Sequence, residues 1–105
     1  MYKLDFLQQA LKDINDITHY ISIDLEAPLA ARRLKTEIFK AATNLTKNPL
    51  RYRIYPSHGT LKLEYRKLPV KNYSVFYVVK EGLVEIHRVL YSRRNIGAAL
   101  KDEEE

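Results

Sequence analysis

The spacing of apolar residues changes along this chain, and the order of the changes limits the folds open to it. Residues 2–6 alternate apolar and charged side chains, which predicts a short strand. From Leu7 to Ile21 the apolar residues recur every three or four positions, which predicts an amphipathic helix of about four turns. The polar residues of this segment, Asp13 among them, are expected on its solvated face.

A second helix is predicted after Pro28. Proline is tolerated in the first turn of a helix because its missing N–H would have no partner there. An apolar stripe rich in alanine follows as far as Leu45, and Asn48 and Pro49 end the helix because the residue before proline is pushed out of the α region. The small side chains favour close packing, so we expect the two helices to form a hairpin.

The rest of the chain has the pattern of strands. Three strands are predicted over residues 61–68, 73–79 and 83–91, with a turn at 69–72, and a short closing helix over 96–100. The order is β-α-α-β-β-β, an N-terminal strand and a helical hairpin before a three-stranded antiparallel meander, which indicates an α+β fold. We expect the hairpin to cover one face of the sheet. The other face is expected to stay partly open.

The composition fits a single domain. A chain of 105 residues with 46% apolar content can bury one core, so we expect a domain over residues 1–100 followed by a solvated acidic tail at 101–105. The absence of cysteine excludes disulfides, thiol catalysis and cysteine-ligated zinc. The longest uncharged apolar run, residues 73–79, is far too short to span a membrane. We therefore expect a cytoplasmic protein without membrane contact.

The positive charge is distributed unevenly between the two halves of the chain. Residues 1–50 have a net charge of +1 and residues 51–100 have a net charge of +7, while the last five residues contribute −3. Such a charge either serves solubility or marks a surface for an anionic partner, such as nucleic acid or an acidic protein. The composition alone leaves both interpretations open.

Four segments of the sequence resemble a known family. The segments at 10–21 and 28–49 resemble the first two helices of ParE-type toxins. More specific are YRKLPVKNYSVFYVV, residues 65–79, and VEIHRVLYSRRNI, residues 84–96, which look like the strand pair and the closing strand of the family. The chain therefore resembles the RelE/ParE superfamily over nearly all of residues 2–97, and its ParE branch most.

The resemblance implies the toxin of a bacterial type II toxin-antitoxin pair, held inactive in a complex with a cognate antitoxin. ParE relatives act on DNA gyrase, whereas RelE relatives cut mRNA on the ribosome, and the two branches share one fold. In this chain Ser74 stands where RelE has an arginine, and Leu100 stands where RelE has a tyrosine. We therefore predict a gyrase inhibitor that is not an enzyme. A metal-independent mRNA interferase is the alternative.

The resemblance and the charge pattern also name candidate site residues. The candidates for target binding are Arg66, Tyr91, Arg93 and Arg94. A ribonuclease would have to be built from Lys62, Arg66, His87, Tyr91 and Arg94. The alternative for Arg66 is a solvated strand residue paired with Glu64 or Glu85.

The histidines of this sequence are weaker candidates for catalytic or metal-binding residues. His87 is expected to face the same way as Glu85 and Val89 on the last strand, where a histidine of the core or the sheet edge is commoner than a catalytic one. His19 and His58 lack neighbouring ligands at metal-binding spacing, so we expect no metal, and nothing in the sequence indicates a cofactor.

For the antitoxin we expect an acidic, amphipathic segment. Its apolar residues would fill a groove beside the second helix, and its carboxylates would meet arginines. The candidates for antitoxin contact are Ala27, Ala31, Leu34, Ile38, Arg51 and Arg53.

Overall fold

The computed structural model describes all 105 residues and contains the predicted elements in the predicted order. They are β1 Lys3–Phe6, α1 Gln8–His19, α2 Pro28–Asn44, β2 Arg66–Val70, β3 Tyr73–Lys80, β4 Leu83–Tyr91 and α3 Ile96–Glu103. A π-helical turn, Tyr20–Asp24, extends α1, and a 3-10 turn, Pro49–Arg51, follows α2.

The four strands form one mixed sheet in the order β1-β4-β3-β2. The strands β2, β3 and β4 make the predicted antiparallel meander, and β1 pairs in parallel with β4. β3 lies inside the sheet and is buried on both faces, which accounts for its nearly continuous apolar sequence. The α+β class predicted from the sequence is confirmed.

The start of the meander differs from the prediction. Residues 61–65 form no strand, and β2 runs from Arg66 through Pro69 to Val70. Proline is accommodated there because β2 is an edge strand. The connection to β3 is therefore shorter than expected, and Lys71 takes a positive φ of 56° within it.

The sheet is covered on both faces, so the expectation of an open face is wrong. The helices α1 and α2 pack on one face, as predicted. On the other face Tyr65, Phe76 and Leu90 form a second core with Leu100 of α3, and Tyr55 packs against it. This cover exists because residues 52–65 fold back across the sheet and do not run on as a strand.

β4 contains a bulge at His87. Two consecutive residues of β3 pair with Arg88 and Ile86, so His87 has no partner in the ladder. The extra residue reverses the alternation of side chains beyond it. Val89 consequently joins Ile86 in the core under the helices, whereas His87 contacts Glu85. The prediction that His87 and Val89 share a face is wrong.

A buried ion pair joins α1 to β4 at this bulge. The Arg88 guanidinium donates to both Asp13 carboxylate oxygens, from Nε at 2.8 Å and from Nη2 at 3.0 Å. The same carboxylate accepts the backbone N–H of Val89 at 2.9 Å. Arg88 also donates from Nη1 to the carbonyl of Ala99 in α3 at 3.3 Å. The hydrogen bond to Asp13 raises the pKa of Arg88, and the pair connects three elements.

The acidic end of the chain holds a loop and is not a free tail. Residues 101–103 belong to α3, and the Glu104 carboxylate accepts the backbone N–H groups of Lys62 at 2.9 Å and Leu63 at 2.8 Å. Burial by itself raises the pKa of Glu104, but the two N–H donors outweigh it and the pKa is lowered. The expected solvated tail at 101–105 is therefore replaced by a contact with the fold-back segment.

Removing Arg88 is expected to cost much of the stability. Arg88→Ala leaves the Asp13 carboxylate buried without its cation, and breaking a buried pair in this way costs roughly 3–5 kcal/mol of the free energy of unfolding. Urea denaturation followed by circular dichroism measures the loss. The control is Lys12→Ala, which breaks the exposed Lys12–Asp16 pair on the same helix and should leave the midpoint almost unchanged. Equal losses in both variants would contradict a stabilising role for the buried pair.

The Glu104 contact is expected to depend on pH. Because its pKa in the folded state is lowered from 4.5, the stabilisation is complete above that pH and disappears as pH falls through the lowered value. An NMR titration of the Lys62 and Leu63 amide protons should show one shared transition with a midpoint below 4.5. Glu104→Gln should abolish the transition. A persisting transition in this variant would assign it to another group.

Candidate functional site

An open groove of about 560 Å³ lies between α1 and the end of β4. The α1 side contributes Ile17 and Tyr20, the sheet contributes Tyr73 and Tyr91, and Arg94 follows from the loop after β4. The rings of Tyr73 and Tyr91 meet edge to face, with their centroids 5.7 Å apart. We call this feature the tyrosine groove. It brings together two of the predicted target-binding residues, Tyr91 and Arg94.

The tyrosine groove exists because β1 is short. The strand ends at Phe6, opposite Ile86, so the last residues of β4 have no strand beside them on that side. Asp13 of α1 accepts the Val89 N–H that a neighbouring strand would otherwise accept. The space that remains is open, and Tyr91 is 45% exposed in it.

Tyr73 presents an uncharged hydroxyl group to the tyrosine groove. Burial raises its pKa, and the neighbouring phenols of Tyr20 and Tyr91 raise it further. A phenol with a raised pKa does not serve as a general base at neutral pH. The chemistry that Tyr73 offers is therefore hydrogen bonding and aromatic contact.

Arg66 holds the backbone of the segment after α2. Its Nη1 donates to the carbonyl of Tyr52 at 2.7 Å and to that of Leu50 at 3.2 Å. It forms no ion pair with Glu64 or Glu85, so the pairing given as its alternative role is wrong. The guanidinium is partly exposed, but its strongest contacts are internal.

A second side chain, Tyr77, also holds the backbone of the 3-10 turn after α2. The Tyr77 hydroxyl donates to the carbonyl of Pro49 at 2.6 Å, and burial raises the pKa of Tyr77 to about 12. Arg51 and Arg53 project from this fixed backbone and are exposed, and the Arg51 guanidinium lies 5.4 Å from the centroid of the Tyr52 ring. Both arginines are therefore available to a partner.

His87 is buried, with 6% of its surface exposed. Its Nε2 lies 3.1 Å from Glu85 Oε1, its ring meets Tyr65 edge to face, and its Nδ1 has no partner. Burial alone raises the pKa of Glu85, but hydrogen bonds from Lys80 and His87 outweigh it and the pKa is lowered. This arrangement leaves His87 without access to a large substrate.

The ribonuclease candidates do not form one cluster. Arg66 pairs with Tyr77 and Tyr91 pairs with Tyr73, and these two β3 residues lie four positions apart, about 13 Å along the strand. Lys62 is exposed in the fold-back segment, whose backbone Glu104 holds. Arg93 is exposed in the turn after β4, beside Arg94.

Three antitoxin candidates have little exposed surface. Ala31, Leu34 and Ile38 are 4%, 7% and 0% exposed, and Leu34 and Ile38 belong to the core that the helices form with the sheet. Ala27, at the start of α2, is half-buried. The core therefore takes up most of Leu34 and Ile38, whereas Ala31 still lines an open groove beside Ile23 and Pro28.

The exposed apolar surface lies instead at the turn between the two helices. Four large side chains, each 49–59% exposed, form what we call the hairpin tip: Tyr20, Ile23, Leu25 and Leu29. The sequence contains a signal for this surface, since all four residues fall outside the helical stripes that predict burial.

Two further properties of the structure bear on function. No group of three or more His, Cys, Asp or Glu side chains is arranged to hold a metal ion. No helix combines the length and the apolar character that crossing a membrane requires.

Comparison with known families identifies the chain. The family model described as the ParE toxin of type II toxin-antitoxin system, parDE, matches residues 4–96. The chain belongs to the ParE toxin family. This confirms the ParE-like branch of the RelE/ParE superfamily that segments 65–79 and 84–96 indicated.

The fold is shared with a solved structure. A chain described as the chromosomal ParDE TA system from P. aeruginosa has a TM-score of 0.68 and 21% identity to this ParE family member, covering 87% of this chain and 96% of that chain. An arginine-substituted mutant of the E. coli toxin RelE in the free state has a TM-score of 0.49 and 17% identity, with 98% and 96% covered. No curated protein matches the chain.

Proposed function

We propose that this toxin stops growth by binding and poisoning DNA gyrase, without catalysis, and that a cognate antitoxin neutralises it in a hetero-oligomer. Membership of the ParE family supports the toxin role. Because gyrase acts in the cytoplasm, that is the compartment we propose for the toxin. The tyrosine groove is the proposed target surface.

One observation carries the choice of a binding function. Of the five residues that a ribonuclease would need, only Tyr91 and Arg94 line a common open groove. Tyrosine and arginine are among the residues that contribute most to binding at protein interfaces. A groove lined by three tyrosines and an arginine is therefore suited to hold side chains of a protein partner.

The alternative, an mRNA interferase, lacks its side chains in this chain. Ser74, which stands where RelE has an arginine, is buried and hydrogen-bonded to Ser92 at 3.1 Å. Leu100, which stands where RelE has a tyrosine, is fully buried. Cleavage of RNA requires a proton acceptor and cations together at one phosphate. These positions supply neither.

The antitoxin is proposed to bind the hairpin tip. An amphipathic segment needs exposed apolar side chains to bury, and the tip offers four of them. A groove of about 460 Å³ beside the tip is lined by Ile23, Pro28 and Lys35 among others, so a cation is at hand for the acidic residues of such a segment.

The hairpin tip can be tested without disturbing the core. Leu25→Asp with Leu29→Asp should abolish capture of the antitoxin by the immobilised toxin, while gyrase inhibition is retained. Leu63→Asp, at an exposed apolar residue of the fold-back segment, serves as the control and should bind normally. Undiminished capture by the double variant would exclude the tip as the antitoxin surface.

Two parallel assays test the target. Purified toxin is expected to inhibit gyrase supercoiling and to leave mRNA intact on translating ribosomes. Arg94→Ala should raise the concentration needed for inhibition by roughly 30-fold, as expected of an interface residue worth about 2 kcal/mol. Lys101→Ala, at an exposed cation on α3, should inhibit like the wild type. Cleavage of mRNA in the ribosomal A site would overturn the proposal, and full inhibition by Arg94→Ala would remove Arg94 from the target surface.

A further inference from the structure

The whole excess of positive charge lies in one segment of the chain, residues 28–53. This segment has seven Lys and Arg residues and one acidic residue, a net charge of +6, whereas the other 79 residues have eleven and twelve, a net charge of −1. A division of the chain at residue 50 conceals this, because it cuts the segment. The basic character of the protein therefore belongs to α2 and the turns that follow it.

All seven cations of this segment are exposed. The inner side of α2 faces the core, so at 100° per residue Arg32, Arg33 and Lys40 lie on its outer side. The single acidic residue, Glu37, faces Lys71 at 3.8 Å. We define the α2 basic face as the exposed surface around Arg32, Arg33, Lys40, Lys47 and Arg51.

The spacing of the cations suits a rigid polyanion. Arg32 and Lys40 are eight positions apart, which is about 12 Å along a helix. Lys47 follows in the turn after α2 ends at Asn44. The major groove of B-DNA is about 12 Å wide, so cations at this spacing can reach phosphates on its two sides. Shallow recesses of about 300 Å³ beside Arg33 and about 290 Å³ between Lys47 and Arg51 lie near the two ends of the face.

The composition of the face distinguishes among polyanions. No large apolar side chain is exposed between Leu29 and Leu50, and the one aromatic ring at the face is the half-buried Tyr52, which lies beside Arg51 at its end. An acidic protein segment would need apolar anchors to bind well, and single-stranded nucleic acid would need aromatic rings for its bases to stack on. The backbone of duplex DNA needs only cations and polar groups.

We propose that the α2 basic face binds the phosphate backbone of duplex DNA without reading its sequence. The face is separate from the tyrosine groove, which is built by α1 and the end of β4. The proposal therefore goes beyond gyrase binding and does not rest on it. On a target that holds DNA, the toxin would contact both the protein and its nucleic acid.

Fluorescence anisotropy with a labelled 25-base-pair duplex tests the proposal. Four to five phosphate contacts give a slope of about −4 in log affinity against log salt, so affinity should fall roughly 250-fold between 50 and 200 mM KCl. Replacing Arg33, Lys40 and Lys47 by Gln removes three contacts and should flatten the slope to about −1.3, a roughly six-fold fall over the same range. The three residues are exposed, so the thermal unfolding midpoint should not change.

The control variant removes three positive charges that lie outside the α2 basic face. Lys3→Gln, Lys12→Gln and Lys101→Gln together should leave the salt slope within about 0.5 of the wild type. Equal weakening in the control would mean that net charge alone drives binding, and tighter binding of the single strand would exclude the duplex. A 20-residue polyglutamate that binds at least as tightly as the duplex would assign the face to an acidic protein. Gyrase inhibition by a wild type that fails to bind DNA would overturn this inference and leave the proposed function standing.

Discussion

The fold depends on the Asp13 carboxylate, which accepts a backbone hydrogen bond from β4 where β1 has already ended. β1 is four residues long, and beyond it the end of β4 would present an unpaired backbone. Asp13 accepts the Val89 N–H at that place, and the bulge at His87 turns Arg88 so that its guanidinium neutralises the carboxylate. A buried charge is tolerated only when it is paired and hydrogen-bonded. The pair therefore fixes the positions of α1 and β4, and through Ala99 that of α3.

The same carboxylate determines where the tyrosine groove, the proposed target surface, lies. Asp13, Ile17 and Tyr20 are spaced at i, i+4 and i+7, so they lie on one face of the helical segment. Holding Asp13 against Val89 directs Ile17 and Tyr20 toward the end of β4, where they line one groove with Tyr91. The tyrosine groove is thus a consequence of how the sheet edge is closed, because a longer β1 would fill the same space.

The local sequence pattern predicted most of the helices and strands. It predicted few of the long-range contacts that hold them together. The bounds of β4 follow from the alternation of apolar and polar residues, and the start of α2 follows from Pro28. Both are local signals. The fold-back of residues 52–65 depends on contacts with α3 and Glu104, which are distant in the sequence. Asp13 was expected on the solvated face of its helix, since nothing near it in the sequence indicates a partner 75 residues away.

The candidate site was also only partly predictable, because contacts between distant residues decide which side chains are exposed. Motif position identified Tyr91 and Arg94, and the structure brings them into one groove. Apolar character alone suggested Ile38 as a partner contact, but it does not reveal that a stripe is already buried in the protein's own core. Charge counted by halves likewise hid the basic face of α2, because the relevant unit is a helix and its following turns.

We propose that the toxin engages its target through the tyrosine groove at the end of β4. Photo-crosslinking in cells tests it directly, with p-benzoylphenylalanine in place of Tyr91 and, as the reference, in place of Leu63, which is exposed on the fold-back segment. We expect a crosslink to a gyrase subunit from position 91 and none from position 63. Crosslinks to ribosomal components from position 91, or equal gyrase crosslinks from both positions, would contradict it.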